Sequence, residues 1–315
     1  MGERGRHLLL WAGKCVLASL LLYLLIHNVD AAAIARAWSG ANPWYIAAAL
    51  LLLPLNLWLQ YRKWAVMLRR VYPDIPVGDV RGSLLIGFTF GLVTPARIGE
   101  FGGRAVAVRG AKPSVLMGLT AADKLSTMAV TVGVGLPGVL LYGLLYPFMD
   151  RVLLLAVFSG TVAMGLLVIG ILVQLRGRIR NAEHWVGRTY RRITMVVQAL
   201  DASTVRIMLW LSVLFYLTFL AQFFLLLSAF GPVSLFSALA GISTIMLIKT
   251  IVPPITLGEL GIREGTAVLV LAPIGVLAAA AFNASLLLFV VNLLIPALIG
   301  VPLLVRTRRT AQRSS

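Results

Sequence analysis

Two short stretches of this chain set ionisable groups among helix breakers inside strongly apolar surroundings. Pro95-Ala96-Arg97-Ile98-Gly99-Glu100-Phe101-Gly102-Gly103-Arg104 and Pro254-Ile255-Thr256-Leu257-Gly258-Glu259-Leu260-Gly261-Ile262-Arg263 both spell P-x-x-x-G-E-apolar-G-x-R, at a constant offset of 159 residues. Five identities and one class match, in a chain with 11 acidic residues, point to internal repetition. Pro and Gly interrupt a helix and free backbone groups to face a polar ligand. Arg suits a bidentate grip on phosphate, and a carboxylate beside it balances charge or carries a coupling proton.

The candidate substrate-binding residues are therefore Arg97, Glu100, Arg104, Glu259, Arg263 and Glu264, led by Arg104 and Arg263. Arg97 ranks lower because Thr256 stands in its place in the second copy. Glu264 follows the second motif where the first has Ala105, and its role is open. Asp123, Lys124 and Lys249 are secondary candidates, being ionisable within apolar runs. Asp123 and Lys124 either satisfy one another or face the first motif. A competing reading has each motif Glu pair with its own Arg and pin the local fold, without touching a ligand.

The elements that must position these groups follow from composition. Sixty per cent of the 315 residues are hydrophobic and 12 per cent charged, and the mean hydropathy is +0.94. Such a chain does not fold as a water-soluble domain. The net charge of +17 does not imply nucleic acid, because the cations cluster between apolar runs as in membrane proteins. Cys15 is the single cysteine, so no disulfide framework or paired metal-ligand spacing exists, and no cofactor is implied.

Apolar runs at 8–26, 43–59, 114–146, 152–175, 205–230 and 277–305 predict six full spans. Residues 83–95 and 235–254 lead into the two motifs and predict first arms of re-entrant hairpins, returning over 101–109 and 265–276. The expected architecture is an all-α polytopic membrane protein forming one transmembrane domain, 1–315. Its repeats are 83–113 and 235–276, and a basic cytoplasmic loop covers 176–203. Three spans separate the copies, so the hairpins enter from opposite faces as an inverted repeat. The excess of Lys and Arg in alternate loops places both termini in the cytoplasm; outer loops keep only Arg36 and Arg151.

Two other patterns are weaker. Gly133-x-Gly135-x-x-Gly138 has dinucleotide-fold spacing but lies in a membrane run, where it reads as a flexible or closely packed helix. The Gly87/Gly91 and Gly99/Gly103 pairs read as tight packing within the first hairpin.

At Thr94 to Arg104 and Pro254 to Glu264 the chain resembles the lysylphosphatidylglycerol synthase/flippase transmembrane family, the flippase-like integral membrane proteins. The resemblance covers essentially the whole chain. It implies a multi-pass protein of a bacterial or archaeal inner membrane that moves a phospholipid or polyprenyl-linked headgroup between leaflets. The implied partner is a membrane lipid with an anionic or phosphate-bearing headgroup; a homo-oligomer or a synthase partner stays open. The alternative is a membrane enzyme or accessory subunit of glycolipid or aminoacyl-lipid synthesis. Against an enzyme, the chain lacks an Asp-x-Asp site, a nucleotide loop, a His-rich cluster and a Ser/His/Asp set.

Overall fold

The computed structural model describes residues 31–94, 96–108, 110–146, 200–251 and 261–313, with the single positions 155, 159 and 162. The expected spans at 8–26 and 152–175, nearly all of the 176–203 loop, Cys15, Arg151 and the second motif from Pro254 to Leu260, Glu259 included, lie outside the described residues. Among the described residues the regular structure is entirely helical.

Helix α1 covers Ala31–Ser39, α2 Pro43–Val71 and α3 Val77–Leu92. The first motif forms α4, Gly99–Ala107, and α5 runs Pro113–Leu145. After Leu200 come α6, Ala202–Phe230, and α7, Leu235–Ile251. The end of the second motif opens α8, Ile262–Leu271, followed by α9, Ala278–Phe289, a π-helical segment Val290–Leu294, and α10, Ile295–Arg313.

Among the described residues, four stretches are long and apolar enough to cross a membrane: Pro43–Val71, Pro113–Leu145, Ala202–Phe230 and Ala278–Val305. At about 1.5 Å per residue, the 29 residues of α2 extend about 44 Å, well beyond the run of 43–59 expected from hydropathy. Starts are set by proline and side-chain caps. Pro43 and Pro113 occupy first turns, where a missing N–H costs nothing, Asn42 accepts the Trp44 N–H at 3.0 Å, and Asp201 accepts that of Thr204 at 3.2 Å.

The arms expected at 83–95 and 101–109 are the packed pair α3 and α4; those expected at 235–254 and 265–276 are α7 and α8. Each pair then crosses to the other half of the chain. Helix α7 packs along α5, the span that follows the first motif, and α3 packs along α10, in the span that follows the second. Both crossings are close. A Cβ on Gly138 of α5 would stand 2.4 Å from Ser243 Cβ of α7, and one on Gly300 of α10 would stand 2.3 Å from the Leu85 carbonyl oxygen of α3. Thr89 of α3 also donates to the Ala297 carbonyl at 2.7 Å. The Gly133–Gly138 pattern thus serves helix packing through Gly135 and Gly138, whereas a Cβ on Gly133 meets nothing within 4 Å.

Among the described residues, two apolar clusters fill the interior. One joins Tyr142, Phe223, Ile245, Leu271 and Leu288; the other joins Trp64, Phe88, Leu119 and Phe289. The glycine crossings yield a test. Gly300→Ala is expected to destabilise the protein by about 1–3 kcal/mol through overpacking, while Gly133→Ala is neutral or slightly stabilising, as read from thermal unfolding in detergent micelles. Equal effects would contradict the close crossing.

Candidate functional site

The first motif builds a buried charged network, and its glycines make the room. Gly99 can only be glycine, since a Cβ there would stand 2.2 Å from the Phe90 carbonyl oxygen. Thr94 fixes the same corner, donating to that oxygen at 2.8 Å and accepting the Gly99 N–H at 2.7 Å. Ahead of α4, Ala96 and Arg97 take positive φ values of 53° and 54°, a conformation costly for residues with a Cβ. On α3, a Cβ at Gly91 would press on Glu100 Cγ at 2.7 Å, and one at Gly87 on Arg104 Cγ at 2.8 Å. The small-residue spacing read as tight packing therefore seats the two motif charges themselves.

Glu100 and Arg104 are 1% and 2% exposed. Glu100 forms ion pairs with Arg97 and Lys124, and with Arg104 Nη2 at 3.6 Å. Arg104 Nη1 donates to Asp123 Oδ2 at 2.9 Å, and its guanidinium lies 4.7 Å from the centroid of the Trp64 ring. Trp64 is held in turn by its indole N–H on Ser83 Oγ at 2.7 Å. Asp123 Oδ1 meets Lys63 Nζ at 2.8 Å, and that ammonium also donates to Thr127 Oγ1 at 2.6 Å and to Ser212 Oγ at 3.2 Å. Helices α2, α4, α5 and α6 thus converge on one network.

Its charges do not cancel. Lys63, Arg97, Arg104 and Lys124 bring four positive charges against the two carboxylates of Glu100 and Asp123, an excess of two among the described residues. Among the described residues, the Nε atoms of Arg97 and Arg104 are buried without a hydrogen-bond partner. Exposure is uneven: the side chains of Lys124 and Arg97 are 38% and 21% exposed, so the cationic excess opens at that edge. Such an arrangement suits an anion with several acceptor oxygens.

The second motif's described end is different. Arg263 Nη2 lies 2.5 Å from Glu264 Oε1, its Nε donates to Ser285 Oγ at 3.0 Å, and its guanidinium sits 5.6 Å from the Phe289 ring centroid. Glu264 Oε2 accepts the N–H of Gly261, whose φ of 87° opens α8, at 2.7 Å. Glu264 therefore caps the helix and neutralises Arg263 one to one. Among the described residues no ion pair or hydrogen bond joins the charges of the two motifs. Both border one apolar cluster, Arg104 stacking on its Trp64 and Arg263 on its Phe289. Lys249 lies partly buried in the last turn of α7.

Of the expected residues, Arg97, Glu100, Arg104, Asp123 and Lys124 come together, with Asp123 and Lys124 turned to the first motif and not to each other. Arg263 and Glu264 form a separate pair. Lys63 was missed: beside Arg62 it reads as one more loop cation, but α2 continues to Val71 and carries it inside. The available signal was a helical period, since Asn56, Leu59, Lys63 and Met67 fall on one buried face.

Removing Asp123's charge leaves Lys63 and Arg104 buried without their partner. Asp123→Asn is expected to cost about 3–5 kcal/mol, seen as a lower unfolding midpoint in micelles. Adding Lys63→Met should recover part of the loss; a single variant as stable as wild type would contradict the network.

The family model described as the lysylphosphatidylglycerol synthase TM region matches residues 11–300. No curated protein matches the chain.

Proposed function

Because the chain belongs to the lysylphosphatidylglycerol synthase TM region family, and is thus a multi-pass membrane protein, we propose that it is a lipid translocase. On this reading it carries a phosphate-bearing headgroup between leaflets. The observation behind it is the buried network with two uncancelled positive charges, which hydrocarbon surroundings make costly unless an anion completes it. The headgroup phosphate engages Arg97 and Lys124 at the open edge, and Arg104 stands behind them, oriented by Glu100, Asp123 and Trp64. Arg263 and Glu264 hold the opening of α8 and line the other side of the path.

The same reading takes α3 with α4 and α7 with α8 as oppositely oriented re-entrant hairpins within six spans, with 83–113 and 235–276 as inverted repeats. The reciprocal crossings of α7 on α5 and of α3 on α10 support it, since a twofold-related pair of units would exchange arms in this way. Glu259 and Lys249 belong to the second unit and would add their charges to the same path. Both termini are assigned to the cytoplasmic face of a bacterial or archaeal inner membrane, from the distribution of Lys and Arg.

Reconstitution into vesicles with a dithionite-quenchable phospholipid tests the assignment. Wild type should equilibrate the label between leaflets, and Arg97→Ala combined with Lys124→Met should slow this at least about tenfold, by loss of charge-assisted contacts to phosphate. Arg97→Lys, which keeps the charge, should retain part of the rate. Unchanged equilibration in the double variant would refute the assignment.

A further inference from the structure

A second site for phosphate chemistry lies outside the network, on a neighbouring face of α2. Arg62 and Lys63 are adjacent, so about 100° separates them around the helix axis. Lys63 points to Asp123, while Arg62 faces a lateral groove of about 360 Å³ between α2 and α3. Leu57, Leu84 and Leu85 make the apolar wall of this groove, and Arg62 and Arg81 line it from either helix.

The groove is graded along its length. Residues 72–76 turn the chain back between α2 and α3, and on both helices the Arg lies nearer that turn than the leucines do. Two aromatic rings orient the charges: the Arg62 guanidinium sits 5.8 Å from the Trp58 centroid, and that of Arg81 sits 5.5 Å from Tyr61. Trp58 and Tyr61 also line the groove, the ring types that favour a membrane interface. Among the described residues neither Arg62 nor Arg81 has a carboxylate partner. Two exposed, pre-oriented and unneutralised guanidinium groups at one end of an apolar channel match one kind of occupant, an amphiphile with an anionic phosphate head and an acyl tail.

We infer that this groove is a specific binding site for an anionic glycerophospholipid, its phosphate held between Arg62 and Arg81 and an acyl chain laid along Leu57, Leu84 and Leu85. The site stands whether or not the chain translocates lipid, because none of these side chains belongs to the buried network.

Native mass spectrometry of the protein in detergent, titrated with phosphatidylglycerol or phosphatidylcholine of equal chain length, decides it. Wild type is expected to retain one saturable phosphatidylglycerol adduct that Arg97→Ala with Lys124→Met leaves in place. Arg62→Ala with Arg81→Ala should weaken that adduct roughly thirtyfold, from the worth of two cations against an anionic lipid, and leave phosphatidylcholine binding unchanged. Leu57→Trp keeps both charges but fills the apolar strip, and should weaken the adduct as well. Equal retention of phosphatidylglycerol by wild type and the Arg62/Arg81 variant, or equal retention of both lipids by wild type, means a non-selective lipid annulus and overturns the site. Both groove variants leave Glu100 and Asp123 with all their partners, so a monodisperse gel-filtration profile is expected; a defect confined to them is a defect of the groove.

Discussion

The structure turns on the cost of holding two carboxylates out of water. Glu100 and Asp123 are both nearly inaccessible, and a buried anion is tolerated only when cations and donors surround it. Glu100 draws Arg97, Arg104 and Lys124; Asp123 draws Arg104 and Lys63, and Lys63 is itself shared with Thr127 and Ser212. Because these partners sit on four helices, the requirement to neutralise two charges fixes the relative placement of α2, α4, α5 and α6. Arg104 bridges both carboxylates and stacks on Trp64, which joins the polar network to the apolar cluster beside it.

Neutralisation overshoots in the first motif and balances in the second. Glu100 and Asp123 are outnumbered by four cations, whereas Arg263 and Glu264 answer one another, with Ser285 and the Gly261 N–H satisfying what remains. Two sequence copies that look alike thus have different electrostatics. The idea that each Glu pins its own Arg holds for Glu100 and Arg104 only as one of several contacts. In the second copy the described pairing is with Glu264. Glycine makes these contacts feasible: Gly87 and Gly91 leave space for Arg104 and Glu100, and Gly138 and Gly300 let α7 and α3 pack closely on α5 and α10.

Much of this was legible in the sequence, for physical reasons that also mark the limits. Apolar run length located α5, α6 and the Ala278–Val305 stretch within a few residues, and the breakers at Pro95, Gly99 and Gly261 marked where helices stop and restart. Charges inside apolar runs flagged Glu100, Arg104, Asp123 and Lys124, because burial of such groups is rarely idle. Lys63 escaped because charge clustering groups it with Arg62, and only the rotation of about 100° per residue in an uninterrupted helix sends the two to different faces. Glu264 could not be interpreted before the positive φ of Gly261 was known. A repeat offset, likewise, says nothing of which helices the repeated arms will pack upon.

The most direct measurement is a cryo-electron microscopy map of the protein in lipid nanodiscs, at a resolution that separates headgroup from side chain. The account predicts phosphate density within hydrogen-bonding distance of both the Arg97 guanidinium and the Lys124 ammonium, continuous with acyl density running into the bilayer. A map in which lipid headgroups are excluded from that edge, leaving Arg97 and Lys124 with Glu100 as their sole anionic partner, would contradict it.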